Sequence, residues 1–275
     1  LHYGRVSYCW PLCFNRFNYQ HSFCGIPGGY LMNRKLNNSI IYNGPSLIDG
    51  SPIVVIALVK SSNKKTGNMV QTYIIRADMD PLTASKHGHD YAICGKCDHR
   101  GEADPNGPGK QAIKRSCYVT LFHGPLQVYK SYKKGNYEIA RDIPALASGR
   151  MVRLGTYGDP AAVPSHIWDA LLKDSVGHTG YTHQNNVPGA DVRPDLTMIS
   201  ADNLQDAKIA WQSKRRTFRI ITAVSDKTEN EILCPASEEA GRKAQCNDCK
   251  LCMGSHTTAP SIAIVAHGNG AAYIN

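Results

Sequence analysis

The chain has 275 residues, with 31 Lys+Arg against 22 Asp+Glu, 10 Cys, and a formal net charge of +9. That length can bury a sizeable core, and a hydrophobic content of 42% with a mean hydropathy of −0.34 excludes a membrane-embedded chain and argues against disorder. No apolar run approaches the ~18–20 residues that a membrane helix needs, and the positive charge permits an anionic partner without identifying one.

Residues 1–31 hold Tyr3, Tyr8, Trp10, Phe14, Phe17, Tyr19, Phe23 and Tyr30, eight of the 22 aromatics, and no Asp or Glu. They show neither helical nor strand periodicity and lack the parts of a secretory signal. The expectation is translated upstream sequence with the native start at Met32; the alternative is an aromatic-rich or disordered arm. From Met32 onward 244 residues remain, with a charge of +7 and seven cysteines. An odd count suits a disulfide framework poorly. The default is a reducing cytoplasm, where clustered thiols bind metal or do redox chemistry.

The next region, 32–116, reads as β-rich. Asn43-Gly44-Pro45 and Asp49-Gly50-Ser51-Pro52 are turns. Ile53–Val59 and Val70–Arg76 are apolar and β-branched, and predict a hairpin across a polar loop. Pro81–Lys86 predicts a helical turn, Cys94 follows, and 101–110 is a Gly- and Pro-rich loop.

From 117 to 275 strands and helices alternate. Strands are predicted at Cys117–Phe122, Met151–Leu154, Thr179–Thr182, Leu196–Ile199, Thr217–Val224 and Ser261–Ala266. Helices are predicted at Leu126–Lys134, closed by Gly135, at 165–173, capped by Ser165, and at Leu204–Trp211, begun near Asp202 or Asn203. Alternation implies parallel pairing through right-handed crossovers. About six strands fall short of the eight of a full barrel. The expected fold is α/β, a partial or irregular (β/α) barrel with Cys-rich metal-binding loops and an N-terminal β-hairpin; an open α/β sheet is the runner-up.

Asp159, His183, Gln184, Ser200, Asp202, Ser225 and His267 gather at the expected C-terminal strand ends, where both architectures place their sites. Asp and Ser at such points also serve simply as helix caps.

The cysteines form two groups. Cys234, Cys246, Cys249 and Cys252 are spaced C-x11-C-x2-C-x2-C. Two separate C-x2-C knuckles, the usual zinc ribbon, are not present. Steps of three with a remote Cys-Pro look more like ferredoxin-type ligation of a [4Fe–4S] cluster, with a structural zinc as competitor. Cys94, Cys97 and Cys117 form C-x2-C-x19-C. They suit either a zinc site completed by His99 or His123, or an iron–sulfur cluster with one open iron. A metal-free pair beside a core cysteine is the plain alternative.

Several segments resemble an uncharacterised family of phage and prophage proteins. They include the run from Asn43 to Ile53, Lys64-Lys65-Thr66-Gly67-Asn68-Met69-Val70-Gln71-Thr72, Cys94-Gly95-Lys96-Cys97 and Gly158-Asp159-Pro160-Ala161-Ala162-Val163-Pro164. Thr179-Gly180-Tyr181-Thr182-His183-Gln184, the run from Cys234 to Gly241 and the run from Ser261 to Gly268 complete them. This resemblance, over about 36–270, implies a phage context and a host cytoplasm but no activity. A fainter similarity to phage radical-SAM-like proteins rests on Cys117-Tyr118 and on Gly158-Asp159-Pro160 with Pro164. It implies S-adenosylmethionine as a ligand, although the usual C-x3-C-x2-C loop is absent.

Two functions follow. In the first, a cluster-bearing enzyme uses Cys94, Cys97 and Cys117 for a reactive cofactor and the four later cysteines for an auxiliary centre. Asp159, Tyr181, His183 and His267 then face substrate, a His moving the proton. In the second, a zinc-stabilised protein binds nucleic acid through Lys130-Ser131-Tyr132-Lys133-Lys134 and Lys214-Arg215-Arg216, with Tyr129, Tyr132 and Tyr137 stacking bases. A phage accessory protein with structural metals is a third reading. Walker, G-x-G-x-x-G and H-E-x-x-H motifs are absent.

Overall fold

The computed structural model describes residues 36–60, 67–268 and 270–274. Residues 1–31, the expected upstream segment, lie outside them; the architecture is that of the unit Leu36–Asn275. Three strands open it: β1 (Ser39–Pro45), β2 (Pro52–Leu58) and β3 (Val70–Arg76). Both neighbouring pairs are antiparallel, so the expected hairpin is the second half of a three-stranded meander. The turn signal at Asn43-Gly44-Pro45 lies inside β1 instead. Proline is tolerated there because only Ser39 and Ile40 pair with β4 (Glu138–Ile139), leaving the far half of β1 as an edge. Ile53 to Ala57 are wholly buried, which explains their unbroken apolar pattern: β2 is covered on both faces.

Helix α1 (Pro81–Lys86) is capped by Asp80, whose carboxylate accepts from the Leu82 and Thr83 N–H groups. The single turn α2 (Tyr91–Cys94) delivers the first cysteine. Helix α3 (Gly124–Lys133) matches the expected helix within two residues. The strand expected at Cys117–Phe122 is a loop. It wraps round the Arg115 guanidinium, which donates to the Cys117 carbonyl at 3.2 Å and the Val119 carbonyl at 2.8 Å.

After α4 (Ile143–Ala147) come β5 (Met151–Tyr157), α5 (Ser165–Leu172), β6 (Gly177–Thr179) and β7 (Tyr181–Thr182). Helix α5 buries Trp168 and Leu171, and its first N–H is satisfied by Asp191 rather than by the Ser165 side chain. Then follow β8 (Met198–Ala201), α6 (Leu204–Gln212), β9 (Thr217–Ile221), β10 (Glu231–Leu233), α7 (Cys246–Cys249) and β11 (Ser261–Val265).

The strands make two sheets, ordered β4-β1-β2-β3-β5-β6 and β10-β11-β9-β8-β7. Apart from the opening meander every strand pair is parallel. The chain leaves one sheet and enters the other at Gly180, where a Cβ would stand 2.7 Å from the Leu196 carbonyl oxygen. Glycine lets the two segments come that close. The fold is therefore mixed α/β with mostly parallel strands. No closed barrel forms among the described residues. One edge of each sheet, β4 and β10, is a strand too short to give an alternating pattern in the sequence. No helix among the described residues is long and apolar enough to cross a membrane.

Candidate metal centres

Seven cysteines lie among the described residues, each partly buried. Cys94 ends α2, and the Cys97 N–H donates to the Cys94 carbonyl at 3.2 Å. The Cys117 N–H donates to the His99 carbonyl at 2.9 Å, which brings the remote third cysteine to the first two. Burial pushes the Cys94 thiol well up, and the neighbouring charges of Asp90, Cys97 and Cys117 add to it. Burial also raises Cys117; Arg115 opposes and Cys97 reinforces the shift. These thiols hold their protons until a cation replaces them.

Gln184 clamps this loop. Its Nε2 donates to the Cys94 carbonyl and to Asp159 Oδ2, both at 2.8 Å, while its Oε1 accepts from the Lys96 N–H at 3.1 Å. Gly95 makes the clamp fit: it has φ +51°, and a Cβ there would sit 1.9 Å from Gln184 Oε1. Asp159 is buried and fully engaged. Its oxygens accept from the Ala161 and His183 N–H groups, the Thr182 hydroxyl and the Gln184 amide. Burial raises its carboxyl despite these donors. Bonded through both oxygens, Asp159 positions the ends of β5 and β7.

His183 and Asp202 are the first residues beyond β7 and β8, neighbouring parallel strands. His183 Nε2 lies 3.0 Å and His99 Nε2 3.4 Å from Asp202 Oδ1. Asp202 is free to face them because Asn203 caps α6, its Oδ1 accepting from the Asp206 N–H. Burial works to lower His183, but its contacts with Cys97 and the Asp202 carboxylate outweigh it and hold the imidazole well above its ordinary range. Burial lowers His99, its stronger influence overriding Asp202. Burial tends to raise Asp202, and the hydrogen bond from His183 brings it below the ordinary range.

The second set lies off the far sheet. Cys234 follows β10, its N–H held by the Ala263 carbonyl at 2.8 Å. Cys246 and Cys249 begin and end α7. Lys250, at φ +54°, reverses the chain before Cys252. The Cys234 thiol is raised by burial; it receives hydrogen bonds from the Ala236 and Ser237 backbone, and the Cys246 and Cys249 charges raise it further. Cys252 is pushed up to about 12, chiefly by burial and then by the charges of the other three cysteines, against a hydrogen bond from Tyr181. The loop is pinned by Arg216, which is buried. It donates to the carbonyls of Leu251 at 2.8 Å, Gly254 at 3.3 Å and Pro260 at 2.7 Å, and to Thr257 Oγ1 at 2.9 Å. In neither set do three sulfurs all lie within 4.8 Å of one another. One tetrahedral zinc with ~2.3 Å bonds would draw them to about 3.8 Å.

Several expected site residues fall elsewhere. Tyr181 belongs to the four-cysteine set through Cys252, with its ring 4.5 Å from Phe218. His267 is exposed beyond β11, its ring 4.8 Å from Tyr118 and its Nδ1 on the Val265 carbonyl. His123 is exposed at the start of α3. Ser200 lies within β8 and Ser225 is exposed, the cap there coming from Asp226. Of the basic runs, Arg216 is consumed internally and Arg215 donates to Ser255. Tyr129, Tyr132 and Tyr137 pack against the core.

The sequence reading placed His99 only as an alternative zinc ligand and gave Asp202 no metal role. The C-x-H step after Cys97 and the Asp202-Asn203 pair, with one cap to share between two residues, were the available signals. Arg216 left none, because a buried arginine looks like a surface one in a basic run. The chain matches no family model, no curated protein and no solved structure.

Proposed function

We propose that this is a metalloprotein of iron–sulfur type, with a reactive centre on Cys94, Cys97 and Cys117 and an auxiliary centre on Cys234, Cys246, Cys249 and Cys252. The observation that carries the reading is the sorting of seven thiols into a three and a four, with the proton affinity of Cys94, Cys117, Cys234 and Cys252 raised by burial and by the other cysteines of their own group. Such groups are expensive to bury as thiolates unless a cation neutralises them. Backbone N–H donors on Cys234 and the Tyr181 hydroxyl at Cys252 are the contacts that tune a thiolate-bound cluster.

Three cysteines leave one iron of a cubane without a protein ligand, a position for a small molecule. S-adenosylmethionine is the ligand that the radical-SAM resemblance implies, and a phage origin is the context that the other resemblance implies. The cofactor would supply the electron chemistry. His183, between Cys97 and Asp202, is the group placed to take or give a proton there. The enzymatic reading draws further support from the position of these residues beyond parallel strand ends.

The test is metal and sulfide analysis of protein purified and reconstituted without air, followed by electron paramagnetic resonance after reduction. Iron with comparable acid-labile sulfide and a reduced-cluster signal is the expected result. Stoichiometric zinc without iron would overturn the reading.

A further inference from the structure

His99, His183 and Asp202 come from three separate segments, yet one ligand atom of each lies within 4.8 Å of the other two. They are the sole such group of three among the described residues. We propose that they form a divalent transition-metal site of His2-carboxylate type beside Cys97, a use of His183 alternative to the proton role above.

The distances fit a shared ion. Ligands bound at ~2.1 Å stand about 3.0 Å apart at an octahedral angle and about 3.4 Å apart at a tetrahedral one. The two Nε2-to-Oδ1 separations are 3.0 and 3.4 Å. The rings are edge to face, with centroids 5.8 Å apart and planes at 76°, so both ring edges address one carboxylate without stacking. All three side chains are largely shielded, with side-chain exposures of 15%, 16% and 21%.

The surroundings hold the ligands in place, as outer contacts do in metal sites. His99 Nδ1 is 2.8 Å from Ser116 Oγ, and when that nitrogen donates its proton the Nε2 lone pair is left for a cation. The His183 N–H is fixed on Asp159 Oδ2 at 2.9 Å. Arg100, next to His99, is anchored on Asp90 and on the Gly88 and Gly95 carbonyls. Two imidazoles and one carboxylate leave coordination positions open, the arrangement used by non-haem iron(II) and by catalytic zinc. The site stands on its own geometry and holds whether or not the cysteines carry iron.

Cobalt(II) and zinc(II) are the probes. The purified protein is titrated with each, without air, and X-ray absorption at the cobalt edge reads the ligands. One additional equivalent bound through nitrogen and oxygen is expected, with cysteine-bound iron and sulfide unchanged. Asp202→Asn and the pair His99→Gln, His183→Gln should weaken that equivalent at least tenfold, with circular dichroism confirming the fold. A first shell made of sulfur would overturn the proposal, as would full retention of the equivalent in the folded double variant. Because the cobalt spectrum is read on the unaltered protein, a variant that fails to fold leaves the decisive measurement standing. Absence of iron at the cysteines would break the functional reading above while leaving this site intact.

Discussion

The three-cysteine and four-cysteine regions solve one problem, holding several thiols together, by opposite means. Around Cys94, Cys97 and Cys117 the holding groups are side chains: Gln184, itself bonded to Asp159, fixes the Cys94 carbonyl and the Lys96 N–H, and Arg115 fixes the Cys117 and Val119 carbonyls. Around Cys234, Cys246, Cys249 and Cys252 the loop is largely held by its own turns and by one arginine on its carbonyls. The first region is thus built into the protein interior with titratable groups beside it, while the second is an appended loop that a bound cation would complete.

The largest effect should come from breaking the second region. Cys249→Ser is expected to abolish metal binding by the four-cysteine set alone and to expose 236–260 to limited proteolysis. The loss is that of a tight ligand, about 4 kcal/mol or more of local stability, and the cysteines at 94, 97 and 117 should keep their metal. If that metal is lost as well, the two regions are one cooperative unit and the contrast fails.

Next in size is the support of the first region. Asp159→Ala strips an acceptor from three buried donors and one half-buried one, and each orphaned buried donor costs about 1–3 kcal/mol. A drop of about 3 kcal/mol or more in thermal or denaturant unfolding is expected, along with weaker metal binding at Cys94, Cys97 and Cys117 and no change at the later set. A stability change under 1 kcal/mol would show that the network is not what holds the loop.

Tyr181→Phe should do less. It removes one hydroxyl from Cys252, about 1 kcal/mol, and should lower the reduction potential of the auxiliary centre on the order of tens of millivolts. An unchanged potential in the loaded protein would reduce Tyr181 to a packing residue.

A last effect is one of pH, in metal-free protein. Cys252 titrates at about 12 in the fold against 9.0 ordinarily. Between those values the unfolded chain has released this proton and the folded chain still holds it, so stability falls as pH rises through that window and is level below it. Urea midpoints at pH 8, 9 and 10 should show the decline, and Cys252→Ser should flatten it. An identical slope in the variant would assign the decline to other groups.

Much of the scaffold was legible because its signals are local. Ile53–Val59 reads as a buried strand from an unbroken β-branched run, and α5 from Ile167, Trp168, Leu171 and Leu172 at helical spacing. The strand at Cys117 failed because Arg115, two residues earlier, binds carbonyls that a ladder would have used, and nothing in Cys-Tyr-Val-Thr announces that. Strands β4 and β10 are two and three residues long, below the length at which alternation can be seen.

The site divides along the same line. By itself the sequence determined which thiols travel together, since Cys-x2-Cys steps and short loops restrict where the sulfurs can go. It also determined that polar residues cluster after the strands, because side-chain pattern and turn residues mark strand ends. Only the tertiary structure decided that Asp159 faces inward onto four donors, that Tyr181 joins Cys252, that His267 stays outside, and that His99, His183 and Asp202 meet. Those outcomes depend on the order of strands in the sheets and on which of two adjacent residues, Asp202 or Asn203, caps a helix. Both are settled by contacts between segments distant in sequence, where local propensity has no say.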